Sequence, residues 1–309
     1  MIRVLAVEVA PMASIGRSFQ VPRARPGPHE LHPAPGTHDL DGGGATSYVA
    51  ASRVVSDVLH HRDAGHSDVL AVAARSPLEP ERTAQQLAEV ALDRAEVVVA
   101  ASAVAAHAGA LAGRPGALLV AGAGAIGVGV DADGGLKLRD GRGPATGDLG
   151  SAHWMGRQGL LLAMTHGGAL ADAAQARFGE EWEGLATEEG PEVTAQRVDF
   201  ASDIAAAAAA GSGEAYHVVR SAAALLGRTL ADASVTLDLA EVPCAIRGRL
   251  TSLGPTFVRQ ILSAATSLDP RLRLVDPEGD TLAGAARLAI DRSTPHEAHV
   301  VRLPDRAAS

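Results

Sequence analysis

Glycine beside small polar side chains is the combination in this chain best suited to chemistry. Backbone N–H groups can converge on a phosphate where no Cβ intrudes. Three segments qualify. Gly122-Ala-Gly-Ala-Ile-Gly127 succeeds an apolar run and matches G-x-G-x-x-G. A dinucleotide site needs a helix to open at those glycines. The chain instead runs on into Val128-Gly-Val130 and a turn at 131–135, which is hairpin sequence, so an NAD-binding oxidoreductase ranks last among the readings. Asp41-Gly-Gly-Gly-Ala-Thr-Ser47 stands between a Pro-rich stretch and a helical pattern, and reads as a loop with Asp41 or Thr46 near the helix start. Gly147-Asp-Leu-Gly-Ser-Ala-His-Trp-Met-Gly-Arg-Gln-Gly-Leu160 is the most specific of the three. Gly147 and Gly150 let a loop close tightly, Ser151 can cap the next helix, and Asp148 is left to accept hydrogen bonds.

The remaining polar residues point to ordinary roles. His29, His32 and His38 cluster in one loop and His60, His61 and His66 at a helix end, without the spacing of a zinc site. His107 and Trp154 sit in helical patterns and read as packing residues, Cys244 as a buried thiol. Glu180, Glu181, Glu183, Glu188 and Glu189 read as a solvated connection between helices. A single cysteine excludes an internal disulfide framework and any cysteine metal cluster. The net charge of −9 argues against nucleic acid or an anionic membrane surface as a partner. Glu8 breaks the N-terminal apolar run, so residues 2–10 read as a strand rather than a signal peptide and the chain as cytoplasmic.

The elements that must position these residues can be read from periodicity. Strands are expected at 2–10, 14–21, 67–74, 96–100, 117–121, 136–139, 235–247 and 273–275. Helices are expected at 45–61, 80–92, 103–112, across most of 151–227, at 255–265 and at 281–290. With 309 residues and 47% hydrophobic side chains but only 3% aromatics, two α/β domains with cores of Ala, Val and Leu are expected.

The string at 147–160 resembles the G-D-E-G-S-x-x-W-I-G-R-x-x-L signature of the N-acetylglucosamine kinase and BadF-type ATPase family, within the actin-like sugar kinase superfamily. Residues 117–134 resemble its strand–G-T-G-S–strand–D-x-D-G element, 97–113 its N-D-A-bearing strand and helix, 242–262 its adenosine-side strand and helix, and 284–289 its closing helix. The Asp41–Ser47 run is similar in letters to the superfamily's D-G-G-G-T-K-T phosphate loop, but the first strand aligns that loop with Glu8–Ser14 instead.

The resemblance implies an α/β fold of two RNase H-like domains with a cleft between them. The boundaries it implies are 1–113, 114–280 and a polar, frayed tail at 292–309, with 281–291 packing back on the first domain. It implies ATP, Mg²⁺ and an amino sugar as ligands if the protein is active, no cofactor otherwise, and a homodimer. By the same resemblance Ser102 stands at the catalytic Asp, and Glu8, Ser14, Gly122 and Gly124 at the phosphate and Mg²⁺ contacts. His38, Gly141, Asp148 and Ala152 stand at sugar contacts, and Gly248 at the nucleotide. Several of these positions have lost the family's chemistry. Val9, Ala10 and Pro11 replace glycines, Ala123 and Ala125 replace hydroxyls, Leu149 replaces an acid, Arg247 replaces a glycine, and Ser102 replaces the base. The expectation is a sugar binder with weak or no phosphotransfer. The alternative is a regulatory or interaction protein that uses the kinase fold.

Overall fold

The computed structural model describes residues 1–9, 14–21, 31–33, 40–42, 48–60, 68–75, 78–90 and 96–303. The chain divides into two compact units, one of residues 1–115, 130–135 and 276–309, the other of 116–129 and 136–275.

The first unit begins with β1 (Ile2–Val9), β2 (Ser14–Val21), β3 (His32–Pro33) and β4 (Leu40–Gly42). Then come α1 (Tyr48–His60), β5 (Val69–Ala74), α2 (Pro80–Val90), β6 (Glu96–Ala101) and α3 (Ser102–Ala110). The runs of Val and Ala in β1, β5 and β6 are buried on both faces, as the parallel centre of a helix-covered sheet requires. β1 pairs parallel with β5, β5 parallel with β6, and β1 antiparallel with β2. Leu5, Val7 and Val9 point one way, into a cluster with Val54 and Val55 of α1 and Ala84 and Leu87 of α2.

The second unit contains β7 (Gly116–Ala121), β8 (Ala125–Val130, its last residue grouped with the first unit) and β9 (Leu136–Asp140). A long helical stretch comes next: α4 (Ala152–His166), α5 (Gly168–Phe178), α6 (Gly184–Thr187), α7 (Pro191–Ala209) and α8 (Gly213–Ser234). The unit closes with β10 (Val242–Arg247), α9 (Pro255–Thr266) and β11 (Leu272–Leu274). The sheet order is β11-β10-β7-β8-β9. Its core gathers Leu119, Met155, Leu160, Phe200, Ile204, Leu226, Leu230, Phe257 and Ile261, with Trp154 packed at its edge.

The chain then returns to the first unit through α10 (Thr281–Ile290) and β12 (Val300–Leu303). α10 lies on α3, and the crossing is made of glycines. A Cβ on Gly284 would stand 1.8 Å from the Ala105 carbonyl oxygen, and one on Gly109 2.0 Å from that of Asp280. The first unit's sheet thus has the order β12-β6-β5-β1-β2-β3, with β4 also on β2.

Two sequence expectations are corrected by the fold. Residues 235–241 are not strand: Val235 caps α8 and the Leu237 N–H donates to the Ser234 carbonyl, so β10 starts only at Val242. Nor do residues 295–303 fray. β12 pairs antiparallel with β6, and Arg302 ties it down by donating to Glu297, Glu96 and the carbonyls of Leu288 and Ala289. Val301 and Leu303 of the strand pack against the first unit's apolar cluster. Among the described residues no helix is long and apolar enough to cross a membrane.

Candidate functional site

The carboxyl ends of parallel strands are where open α/β sheets present ligand-binding residues. In the first unit those ends deliver Glu8, Arg75 and Ser102. Val9 is registered with Ala74, and Ala74 with Ala101, so Arg75 and Ser102 leave adjacent strands side by side. The Glu8 carboxylate accepts a hydrogen bond from Arg75 Nη2 at 3.3 Å. Glu8 was expected to hold hydrated Mg²⁺, but a guanidinium supplies the positive charge beside it. The Arg75 side chain is 58% exposed.

Ser102 opens α3 directly after β6, preceded by Ala101, which offers no side-chain cap. The residue is 8% exposed, and among the described residues its buried hydroxyl has no hydrogen-bond partner. Ser14, expected at a phosphate, is 1% exposed at the start of β2, paired with Gly42 of β4. Asp41 and Gly42 belong to that short strand. Residues 10–13, His38 and 43–47 lie outside the described residues.

In the second unit the G-x-G-x-x-G glycines form the turn between β7 and β8. The Gly122 N–H donates to the Gly124 carbonyl at 2.8 Å. A three-residue connection admits only antiparallel pairing, so no dinucleotide helix opens at this turn. Three N–H groups at this turn and the adjoining helix start are used locally. Gly122 uses its own in the turn, while those of Ala152 and His153 at the start of α4 donate to the carbonyls of Gly122 and Ala123. Gly122 and Gly124, expected at a phosphate, are the residues that form this turn.

The same turn holds Asp148. Its carboxylate accepts from the Ala125 N–H at 3.2 Å, and a Cβ on Gly124 would stand 2.6 Å from its Oδ2. Gly124 is there because the carboxylate needs its space. Asp148 has φ +54°, in the region non-glycine residues rarely adopt, and is 9% exposed. Such conformations persist only when neighbours over-determine them. Asp140, which sequence reasoning missed, is that neighbour. Its Oδ1 accepts from the Asp148 N–H at 2.6 Å and its Oδ2 from the Leu149 N–H at 2.7 Å. Ser151 caps α4 by accepting from the Trp154 N–H. Gly141 donates to the Ala125 carbonyl, and Ala152 is fully buried. Asp148, Gly141 and Ala152, expected at a sugar, are thus brought together around one loop.

A buried arginine supports that loop from behind. Arg197 of α7 is fully buried and donates to the carbonyls of Leu185 at 2.7 Å and Glu188 at 2.6 Å. Its Nη1 lies 3.2 Å from His153 Nε2, in the first turn of α4. Since Arg can only donate, Nε2 accepts and the imidazole proton sits on Nδ1. Burial, and then the Arg197 charge, push the His153 pKa below its ordinary value, which keeps the ring neutral. Neither residue was legible, because their partners, two backbone carbonyls, the Glu189 carboxylate and each other, come together only in the fold.

The nucleotide side offers less. Gly248 has φ +111°, and a Cβ there would stand 2.3 Å from the Ala121 carbonyl oxygen. The glycine is required by the close approach of β10 to β7, which explains it without a nucleotide. Among the described residues no group of three or more His, Cys, Asp or Glu is placed to hold a metal ion. ATP with Mg²⁺, implied by the resemblance, does not fit the described residues. The carboxylate in place is paired with Arg75, the Gly122 N–H is used within its own turn, and Ser102 carries no charge.

No protein-family model matches the chain, and no curated protein does either. Solved structures do. A protein from Chromobacterium violaceum, provisionally named an N-acetylglucosamine kinase, is 20% identical, with a TM-score of 0.66 over 94% of this chain and 99% of its own. A ROK-family glucokinase from Streptomyces griseus, solved with glucose and AMPPNP, is 15% identical, with a TM-score of 0.61 over 93% and 99%. A ROK-family transcriptional regulator, described as a homologue of the E. coli MLC protein, is 14% identical, with a TM-score of 0.54 over 95% and 79%. Two α/β units in this order, the C-terminal helix returning to the first, give the chain the fold of these sugar kinases.

Proposed function

We propose that this protein is an N-acetylglucosamine kinase-like relative that binds an amino sugar and does not transfer phosphate to it at a kinase's rate. The observation that carries the reading is Ser102. It stands where the resemblance puts the carboxylate base, at the start of α3, and among the described residues its hydroxyl has no partner to take a proton. Loss of a general base costs on the order of 10²–10⁴ in rate. The pairing of Glu8 with Arg75 removes the second requirement, a carboxylate open to a hydrated cation. The sugar side is better kept. Asp148 is held in a strained conformation by Asp140 and Ala125, the kind of strain that accompanies binding sites.

Thermal unfolding with and without ligands tests this, because a ligand that binds only the folded state raises its stability by mass action. N-acetylglucosamine at millimolar concentration should raise Tm, and Asp148→Asn should reduce that rise. ATP with Mg²⁺ should leave Tm unchanged, and no sugar phosphate should form. Turnover of ATP and N-acetylglucosamine by the wild-type protein would refute the proposal. Absence of any sugar-dependent shift would favour the interaction role, which the regulator sharing this fold makes the second reading.

A further inference from the structure

The rim at the carboxyl ends of β1, β5 and β6 carries a cation beside a neutral hydroxyl. The resemblance places an anionic base at position 102, yet Ser102 is neutral and Arg75 emerges on the adjacent strand at the matching register. We infer that this rim is an anion-binding site, built from Arg75, Ser102 and the N-terminus of α3, for a ligand carrying a carboxylate or a phosphate.

Three independent features support it. α3 is a nine-residue helix with no side-chain cap, so its first turn presents N–H groups and the positive end of the helix dipole at Ser102. The Ser102 hydroxyl, on the first residue of that helix, is buried and unpartnered. A buried hydroxyl without a partner is uncommon in a native structure and calls for an explanation. A ligand oxygen accepting from it supplies one. Arg75 is more than half exposed and bonds Glu8 through one nitrogen at 3.3 Å, and its planar fork of five donors suits a carboxylate or phosphate. Glu8 is the competitor in this arrangement: it holds the guanidinium and repels an incoming anion.

The inference deepens the sugar-binding reading, on which its ligand class rests. A sugar that also carries an anionic group, an acidic sugar or a sugar phosphate, is then the ligand class that uses the rim. The rim's chemistry is separable from the sugar itself, so the experiment uses both kinds of probe. Binding of inorganic phosphate, acetate, glucuronate, glucose 6-phosphate and neutral N-acetylglucosamine is measured by calorimetry at low salt. The proteins are wild type, Arg75→Gln, Ser102→Asp and Glu8→Gln, each first shown to be folded by circular dichroism. Phosphate and glucose 6-phosphate on one side, and acetate and glucuronate on the other, distinguish the two anion sources.

The expected result is that at least one anionic probe binds the wild type. Arg75→Gln and Ser102→Asp should each weaken it roughly tenfold or more, while Glu8→Gln tightens it by roughly threefold. Glu8→Gln is the decisive variant, since general damage does not improve binding. No binding of any anionic probe, or binding indifferent to all three substitutions, would overturn the inference. Neutral sugar bound without any anion leaves the sugar reading standing and defeats this one. Phosphate bound in the expected pattern without any sugar does the reverse.

Discussion

Ser102 and Asp148 illustrate opposite fates of a site residue. Asp148 keeps its carboxylate and is held by more bonds than a loop aspartate needs, from Asp140 on one side and Ala125 on the other. Ser102 keeps the position at the head of α3 but none of the proton affinity. Restoring the carboxylate alone should not restore phosphotransfer, because Arg75 would still occupy the carboxylate at Glu8. Ser102→Asp is therefore expected to show no ATP- and sugar-dependent product above the uncatalysed background in a coupled assay. Turnover on the order of 1 s⁻¹, an ordinary kinase rate, would show that the phosphate side is intact after all.

The α3–α10 pair has little freedom. Its closest contacts are backbone to backbone, so no side chain can move aside for an added methyl group. Gly284→Ala should force the helices apart. The expected cost is about 2–3 kcal/mol, typical of overpacking a tight core, read as a lower denaturant midpoint with an unchanged slope. Stability within about 0.5 kcal/mol of wild type would mean that the crossing relaxes freely. Because α3 carries Ser102 at its first residue, the same variant should also weaken whatever binds at that rim.

At the scale of the whole molecule, the closing segment is locked by a buried histidine pair. His107 Nδ1 and His296 Nε2 are 2.8 Å apart, and both residues are fully buried. One proton between them satisfies the contact; a second would place two positive charges side by side in the core. Burial, then the neighbouring His107 and His299, lower the His296 pKa to about 3 from an ordinary 6.5. The unfolded chain therefore binds more protons than the folded one between those values. Stability contributed by the neutral pair is complete above pH 6.5 and declines as pH falls toward 3, at up to about 1.4 kcal/mol per pH unit. Urea midpoints across pH 4–7 should fall on acidification, and less steeply in His107→Phe/His296→Phe. An equal slope in that double variant would place the acid sensitivity elsewhere.

Much of this protein was readable without coordinates. The Val- and Ala-rich strands, the helix at 281–290, the hairpin character of 122–135 and the loop at 147–151 all announce themselves by local periodicity and turn chemistry, which depend on neighbours in sequence. The fold emerges from that order of elements. What only the tertiary structure decided is which polar groups meet across long separations. Arg75 reaches Glu8 across 67 positions, Arg197 reaches His153 across 44, and His296 reaches His107 across 189. Each such pair depends on two segments folding onto the same face, and a single charged or aromatic residue in a string carries no mark of its distant partner. β12 escaped notice for the same reason: only four residues long, its place in the sheet depends on Arg302 and on pairing with β6, both distant in sequence.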